Sequence, residues 1–310
     1  MSWQVHAINL FMRVNKFRLN GKNFADAKAA MIAMADDRAA KADYPEGAIV
    51  EAVTLNTVSC EWVRDQSVAN DEAKVIMYFH GGGFFAGSPN THRGAAHCLS
   101  ARCKTKTLVV DYQLTPQAQF PTQLDEAVLA YQWLLDNGYE HGNIAFGGDS
   151  AGGNMTIAVM KMLQQRKLPL PFAGFCISPW ADLTHSGESW QTNKRRDPMV
   201  AQSLLENAAV VYAGDKPLDN PMISPVFADY TGLPPLYLIA GESEILIDDL
   251  LRIATQAENA GVITQKKIWP TVPHAFTSMV GLIPEAEIAI EDIAFFLKEH
   301  HSAEQTTTPA

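Results

Sequence analysis

Positive charge is scarce in this chain: 24 Lys and Arg stand against 34 Asp and Glu, for a net charge of −10 over 310 residues. A nucleic-acid partner is excluded on that ground, because phosphate binding needs a basic face. Long apolar runs are missing too. No stretch of about 18 apolar residues occurs, so no spanning helix and no stable membrane insertion are expected. Residues 1–18 have an apolar patch, but Gln4, His6, Arg13, Asn15 and Lys16 interrupt it. The stretch lacks a secretory leader's charge-first order and small-residue cleavage site. Cysteine is rare. Cys60, Cys98, Cys103 and Cys176 show no ligand spacing and read as reduced thiols of a cytoplasmic protein. Among the nine histidines, His92 and His97 are five apart and fall on different helix faces, and His300 and His301 are terminal. None has a metal partner at useful spacing, so no metal is expected. Internal repeats are absent.

What is present is an ordinary globular composition, 47% apolar and 19% charged, long enough to bury a sizeable core. Two amphipathic stretches, Trp3–Leu19 and Asn23–Lys41, precede the first strand signal, and the turn cluster 43–47 ends them. Strands are expected at Ile49–Thr54, Val58–Val63, Lys74–His80, Thr107–Tyr112, Asn143–Phe146 and Phe172–Ile177. Helices fall between them at Thr91–Arg102, Pro121–Asn137 and Ala151–Gln165. This alternation predicts a mostly parallel sheet with helices on both faces. It stops after Ala181 and resumes with strand Pro235–Ala240, helix Leu246–Ala260, strand Thr264–Trp269 and helix Glu285–Glu299. The expected organisation is therefore an N-terminal helical part over 1–45 and α/β core over 46–182. An insertion with one helix (Met199–Tyr212) follows over 183–224, then core again over 225–301 and a disordered tail over 302–310.

Four features carry chemistry. Gly148-Asp149-Ser150-Ala151-Gly152 lies between a strand and a helix, where a G-x-S-x-G elbow lifts a serine hydroxyl clear of the sheet. Alone, the pattern could be simple strand–turn–helix punctuation. His80-Gly81-Gly82-Gly83 ends a buried strand, and backbone amides at Gly82 and Gly83, with Ala151, could stabilise an oxyanion. A rival reading is a dinucleotide loop, Gly81-x-Gly83-x-x-Ala86 with Asp111. Against it, Pro89 interrupts the turn before the helix and the strand is not the first of the unit. His274 lies in the loop after the last strand and could shuttle a proton. An acid to orient it follows strand PLYLIA; spacing alone leaves Glu242, Glu244 and Asp248 open.

The order serine, acid, histidine, with HGGG near 80 and GDSAGG near 150, resembles the bacterial hormone-sensitive-lipase family of α/β-hydrolase esterases. The resemblance covers residues 45–300. Its acid motif, Asp-Pro-Leu-x-Asp, aligns with Glu244-Ile245-Leu246-Ile247-Asp248 and so favours Glu244, then Asp248, then Glu242. It implies an α/β-hydrolase fold with a helical cap built from 1–45 and 183–224. It also implies a cofactor-free serine carboxylesterase for short to medium acyl esters, and a homodimer through the last strand's edge. Lactones and aryl esters are not separated from simple esters. A silent small-molecule binder is the alternative, and the retained His274 counts against it. Phe84, Phe85, Trp180, Met199 and Phe11 are the expected apolar walls. Where the family has Arg and Ala-Pro-Glu, this chain has Gln113 and Thr115-Pro116-Gln117, so a family ion pair is missing.

Overall fold

The computed structural model describes residues 1–19, 25–26, 28–33 and 45–307. Its centre is one eight-stranded sheet in the order β1-β2-β4-β3-β5-β6-β7-β8. The strands are β1 (Ala48–Leu55), β2 (Val58–Asp65), β3 (Val75–Phe79), β4 (Lys106–Val110), β5 (Ile144–Asp149), β6 (Ala173–Ile177), β7 (Leu236–Gly241) and β8 (Thr264–Trp269). β1 pairs antiparallel with β2 and β2 antiparallel with β4; β3 to β8 run parallel. The central strands are buried on both faces, hence the unbroken VIMYF run of β3. Alternation within β3 sends Val75, Met77 and Phe79 into one core, and Ile76 and Tyr78 into the other.

Helices α3 (Thr122–Asp136), α4 (Ala151–Gln165) and α7 (Ile247–Asn259) cover the first face; α2 (Pro89–Cys103) and α8 (Pro284–Thr307) cover the second. α1 (Trp3–Leu19) lies at the margin of the second core, with Val5 fully buried. Short α5 (Ser189–Thr192) and α6 (Gln202–Ala213) form the insertion between β6 and β7.

Several boundaries differ from expectation for local reasons. α2 starts at Pro89, which sits in its first turn rather than breaking it. Ser88 caps the helix with a reciprocal Ser88–Thr91 box, and proline fits a first turn that needs no amide. α6 starts at Gln202, not Met199, because the Asp197 carboxylate accepts from the Met199 and Val200 amides and holds them in a loop. α8 runs to Thr307, so the stretch expected as a tail from 302 is helical that far; residues 308–310 lie outside the described residues. Of the expected helix Asn23–Lys41, residues 25–26 and 28–33 are helical and the rest lies outside the described residues.

The insertion is tied to the core by polar anchors that hydropathy does not reveal. Asn154 of α4 donates to the carbonyls of Trp180 and Ile223 at 2.9 and 2.8 Å. Asp249 accepts from the amides of Ala181 and Asp182. α1 joins the insertion from the other side: Arg13 donates to the carbonyls of Arg195 and Arg196, and Lys16 to those of Lys194 and Asp197.

Candidate active site

Parallel strands deliver their loops to one edge of a sheet. The carboxyl ends of β3, β5, β7 and β8 therefore bring His80–Gly83, Ser150, Glu244 and His274 to the same rim. Ser150 takes φ 54° and ψ −116°, a strained conformation for a non-glycine residue. The surroundings hold it there. Its amide donates to the Ile177 carbonyl at 2.9 Å and its carbonyl accepts from Trp180 at 3.0 Å. The turn also requires missing side chains. A Cβ on Gly152 would stand 1.9 Å from the Phe79 carbonyl oxygen, and one on Gly148 2.4 Å from the Gly152 carbonyl oxygen. Gly152→Ala should therefore lower stability by about 2–3 kcal/mol as backbone is pushed apart. A melting curve several degrees below wild type checks it; an unchanged melting temperature contradicts the crowding.

His274 Nδ1 lies 2.7 Å from Glu244 Oε2. Glu244 is fully buried and His274 almost so. The other carboxylate oxygen, Oε1, accepts from Ser178 Oγ at 2.7 Å and from the Gly241 amide at 2.5 Å. Ser178 Oγ in turn accepts from the Ala275 amide at 3.1 Å, so one hydroxyl bridges the acid and the histidine loop. Asp248 is elsewhere: its carboxylate accepts from the Ser189 amide at 2.7 Å and anchors α5. Glu242 faces Arg196 at 3.6 Å near the surface. Glu244 is thus the carboxylate that reaches His274.

Burial alone would lower the His274 pKa, but the charge and hydrogen bond of Glu244, with Asp197 and Asp149 beyond, hold it above the ordinary 6.5. A base must be neutral to accept a proton. The acid limb of kcat/KM should accordingly have its midpoint above 6.5, with activity falling as pH drops through it, and Glu244→Gln should move the midpoint down. A pH–rate profile of both proteins reads the difference; coincident midpoints would remove Glu244 as the cause.

Beneath the glycine loop lies a buried group that sequence reasoning left unassigned. Asp149 Oδ1 accepts from Tyr78 Oη at 2.8 Å and from the Gly81 amide at 3.1 Å, with His92 Nε2 at 3.3 Å. Burial would raise its pKa, yet His92, Tyr78 and His80 together hold it below the usual carboxylate value. A Cβ on Gly81 would strike this carboxylate at 2.1 Å. The His80 ring stacks on Tyr112 at 4.2 Å, and burial drives its pKa down to about 3, so it stays neutral. Asp149 sat inside a recognised motif, and only the fold gave it partners.

This geometry disfavours the dinucleotide reading. A carboxylate occupies the glycine loop where a pyrophosphate would need positive potential, and Ser88 and Thr91 already cap the helix that follows. Gly82 and Gly83, at φ 121° and 62°, border the cavity beside Ser150. Among the described residues no protein group accepts from their amides. The Ala151 amide, first in α4, has no acceptor within its helix. The thiols offer no rival nucleophile, since burial pushes Cys60 and Cys103 up to about 12.

Ser150, His274 and the glycine loop border a cavity of about 600 Å³. Met12, Asn15, Lys16 and Met31 wall it from the N-terminal part, and Met199, Val200, Leu204 and Leu205 from the insertion. Of the five expected walls, Phe85 and Met199 line it. Phe84 does not: fully buried at φ 64°, it stacks on Tyr212 at 3.7 Å and belongs to the core. Trp180 is likewise buried outside the cavity, with Phe84 at 6.0 Å. Phe11 is 58% exposed, and its neighbour Met12 faces inward instead. These three corrections share a cause: apolar type does not say which side of an element a residue occupies. Gln113 donates its side-chain amide to Glu126 at the surface.

Residues 76–278 match the family described as the alpha/beta hydrolase fold. Two relatives are 34% identical: an acetyl-hydrolase of Streptomyces hygroscopicus, over 80% of this chain and 82% of its own length, and an esterase of Acinetobacter venetianus strain RAG-1, over 82% and 84%. A crystal structure of an esterase from the bacterial hormone-sensitive lipase family superposes with TM-score 0.90 at 32% identity, covering 97% of this chain and 99% of that one. EstE5 superposes at TM-score 0.92 and 31% identity, with 97% and 100% covered. The site and fold define an α/β-hydrolase. The chain belongs to that family, in its bacterial hormone-sensitive-lipase branch.

Proposed function

We propose that this chain is a serine carboxylesterase whose nucleophile is Ser150, base His274 and orienting acid Glu244. The observation that carries the reading is the buried 2.7 Å contact between His274 and Glu244, on the cavity that Ser150 borders. His274 takes the Ser150 proton as Oγ attacks the ester carbonyl. The amides of Gly82, Gly83 and Ala151 stabilise the oxyanion, and the alcohol leaves with the proton that His274 returns. Water, deprotonated by His274, then releases the acid and regenerates Ser150.

The cap formed by the N-terminal part and the insertion sets the substrate. Its Met and Leu walls suit a short to medium acyl chain. A p-nitrophenyl ester series from acetate to laurate tests this: turnover should peak at short chains and vanish in Ser150→Ala. If a fluorophosphonate failed to label Ser150, the site would be a silent binder and the proposal would fall.

Among the described residues, no helix is long and apolar enough to cross a membrane. A cytoplasmic location is part of the proposal, supported by four free thiols in an α/β core. So is a homodimer through the open edge of β8; light scattering at 34 kDa would overturn it.

A further inference from the structure

The outer face of α1 is unlike a solvated helix face. Trp3, Ala7, Leu10, Val14 and Phe17 recur at four and three and so form one stripe. That stripe points away from the protein: Trp3 is 75% exposed, Leu10 66% and Phe17 80%. The opposite face carries Val5, Ile8, Met12 and Asn15, which face the core and the cavity. α1 is therefore apolar on both sides, while folding of this chain uses one.

Charge says what the second side fits. No acid occurs in the first 25 residues of this chain of net charge −10, and Arg13 on α1 is exposed. The loop that α1 leans on adds Lys194, Arg195 and Arg196, all exposed. Arg13 is fixed by the carbonyls of Arg195 and Arg196, which hold its charge without cancelling it. Arg196 faces Glu242 at 3.6 Å, and among the described residues no carboxylate pairs with Lys194 or Arg195. An exposed Trp, Leu and Phe stripe flanked by basic groups is the composition of a helix lying in a lipid headgroup layer. A second copy fits worse, because a twofold contact through the stripe would bring Arg13 and the 194–196 loop against their own copies.

We propose that the outer face of α1, with the Lys194–Arg196 loop, docks this chain reversibly on an anionic lipid surface. Met12, Asn15 and Lys16 wall the cavity from the inner face of the same helix. A docked molecule then holds its cavity about one helix diameter, roughly 10 Å, from the lipid, where apolar esters concentrate.

The test is flotation of the full chain with phosphatidylcholine vesicles containing about 30 mol % phosphatidylglycerol. Wild type should float with them, and binding should fall about tenfold or more in pure phosphatidylcholine or at about 0.5 M salt. Leu10→Gln/Phe17→Gln and Lys194→Gln/Arg195→Gln should each weaken it about tenfold. Neither pair lines the cavity, so both variants should hydrolyse a water-soluble acetate ester like wild type. Absence of flotation overturns the proposal, as does binding equal on neutral vesicles and indifferent to salt. A dimer that Leu10→Gln/Phe17→Gln dissociates, without lipid binding, would assign the stripe to a second copy. Flotation needs no turnover, so failure here leaves the esterase proposal standing.

Discussion

Ser150→Ala is expected to lower turnover of a short p-nitrophenyl ester by about four to six orders of magnitude, with the fold intact. The size follows from what is lost. In the proposed mechanism, loss of Oγ leaves no acyl-enzyme and gives His274 no hydroxyl to deprotonate; the amides of Gly82, Gly83 and Ala151 and the apolar cavity remain and should sustain only a residual rate. His274→Ala should cost about as much, because nucleophile and base act as one unit and their losses do not add. The double variant should therefore be no worse than either single one. A Ser150→Ala protein keeping a tenth of wild-type activity would remove Ser150 as nucleophile. The strained φ of 54° adds a check: alanine meets the same backbone conformation, so the melting temperature should move little.

The second large effect separates the carboxylates. Glu244→Ala is expected to lower kcat about 10³–10⁴-fold, since Glu244 makes the 2.7 Å contact that orients the imidazole and stabilises its cation. It should also leave Ser178 Oγ and the Gly241 amide without their acceptor. A buried donor left unpaired costs about 1–3 kcal/mol, so this variant should melt lower as well. Asp248→Ala should keep activity within a few-fold and loosen α5, whose Ser189 amide it anchors. Measuring kcat for the two variants together decides the assignment. A crippled Asp248→Ala beside an active Glu244→Ala would reverse it.

The chemistry-bearing loops were legible because each rests on local rules. Gly148 and Gly152 flank a serine at a strand-to-helix turn, and the structure shows why: 2.4 and 1.9 Å, respectively, leave no room for a side chain. The parallel sheet was legible from alternation, since a strand buried on both faces reads as a continuous apolar run. The acid was half legible. Spacing left three carboxylates, the family frame favoured Glu244, and only packing showed which reaches His274. The cavity walls were least legible. Phe11 and Met12 are adjacent and both apolar, yet one is 58% exposed and the other lines the cavity. Helix phase against a partner decides that, and phase is set by contacts such as Asn9 with the Thr271 carbonyl, far away in sequence.

The sequence by itself determined the order of strands and helices, the elbow at Ser150, the glycine loop and the late histidine, because turn strain, chain flexibility and hydropathy act over a few residues. Tertiary structure alone decided that Glu244 rather than Asp248 meets His274 and that Asp149 sits beneath the glycine loop. It also decided that α1 buries Met12 and leaves Trp3, Leu10 and Phe17 facing out. Each of these depends on which groups from distant segments share a low-dielectric interior, where an unpaired charge or donor is costly. That cost is set by neighbours in space, and no spacing along the chain records it.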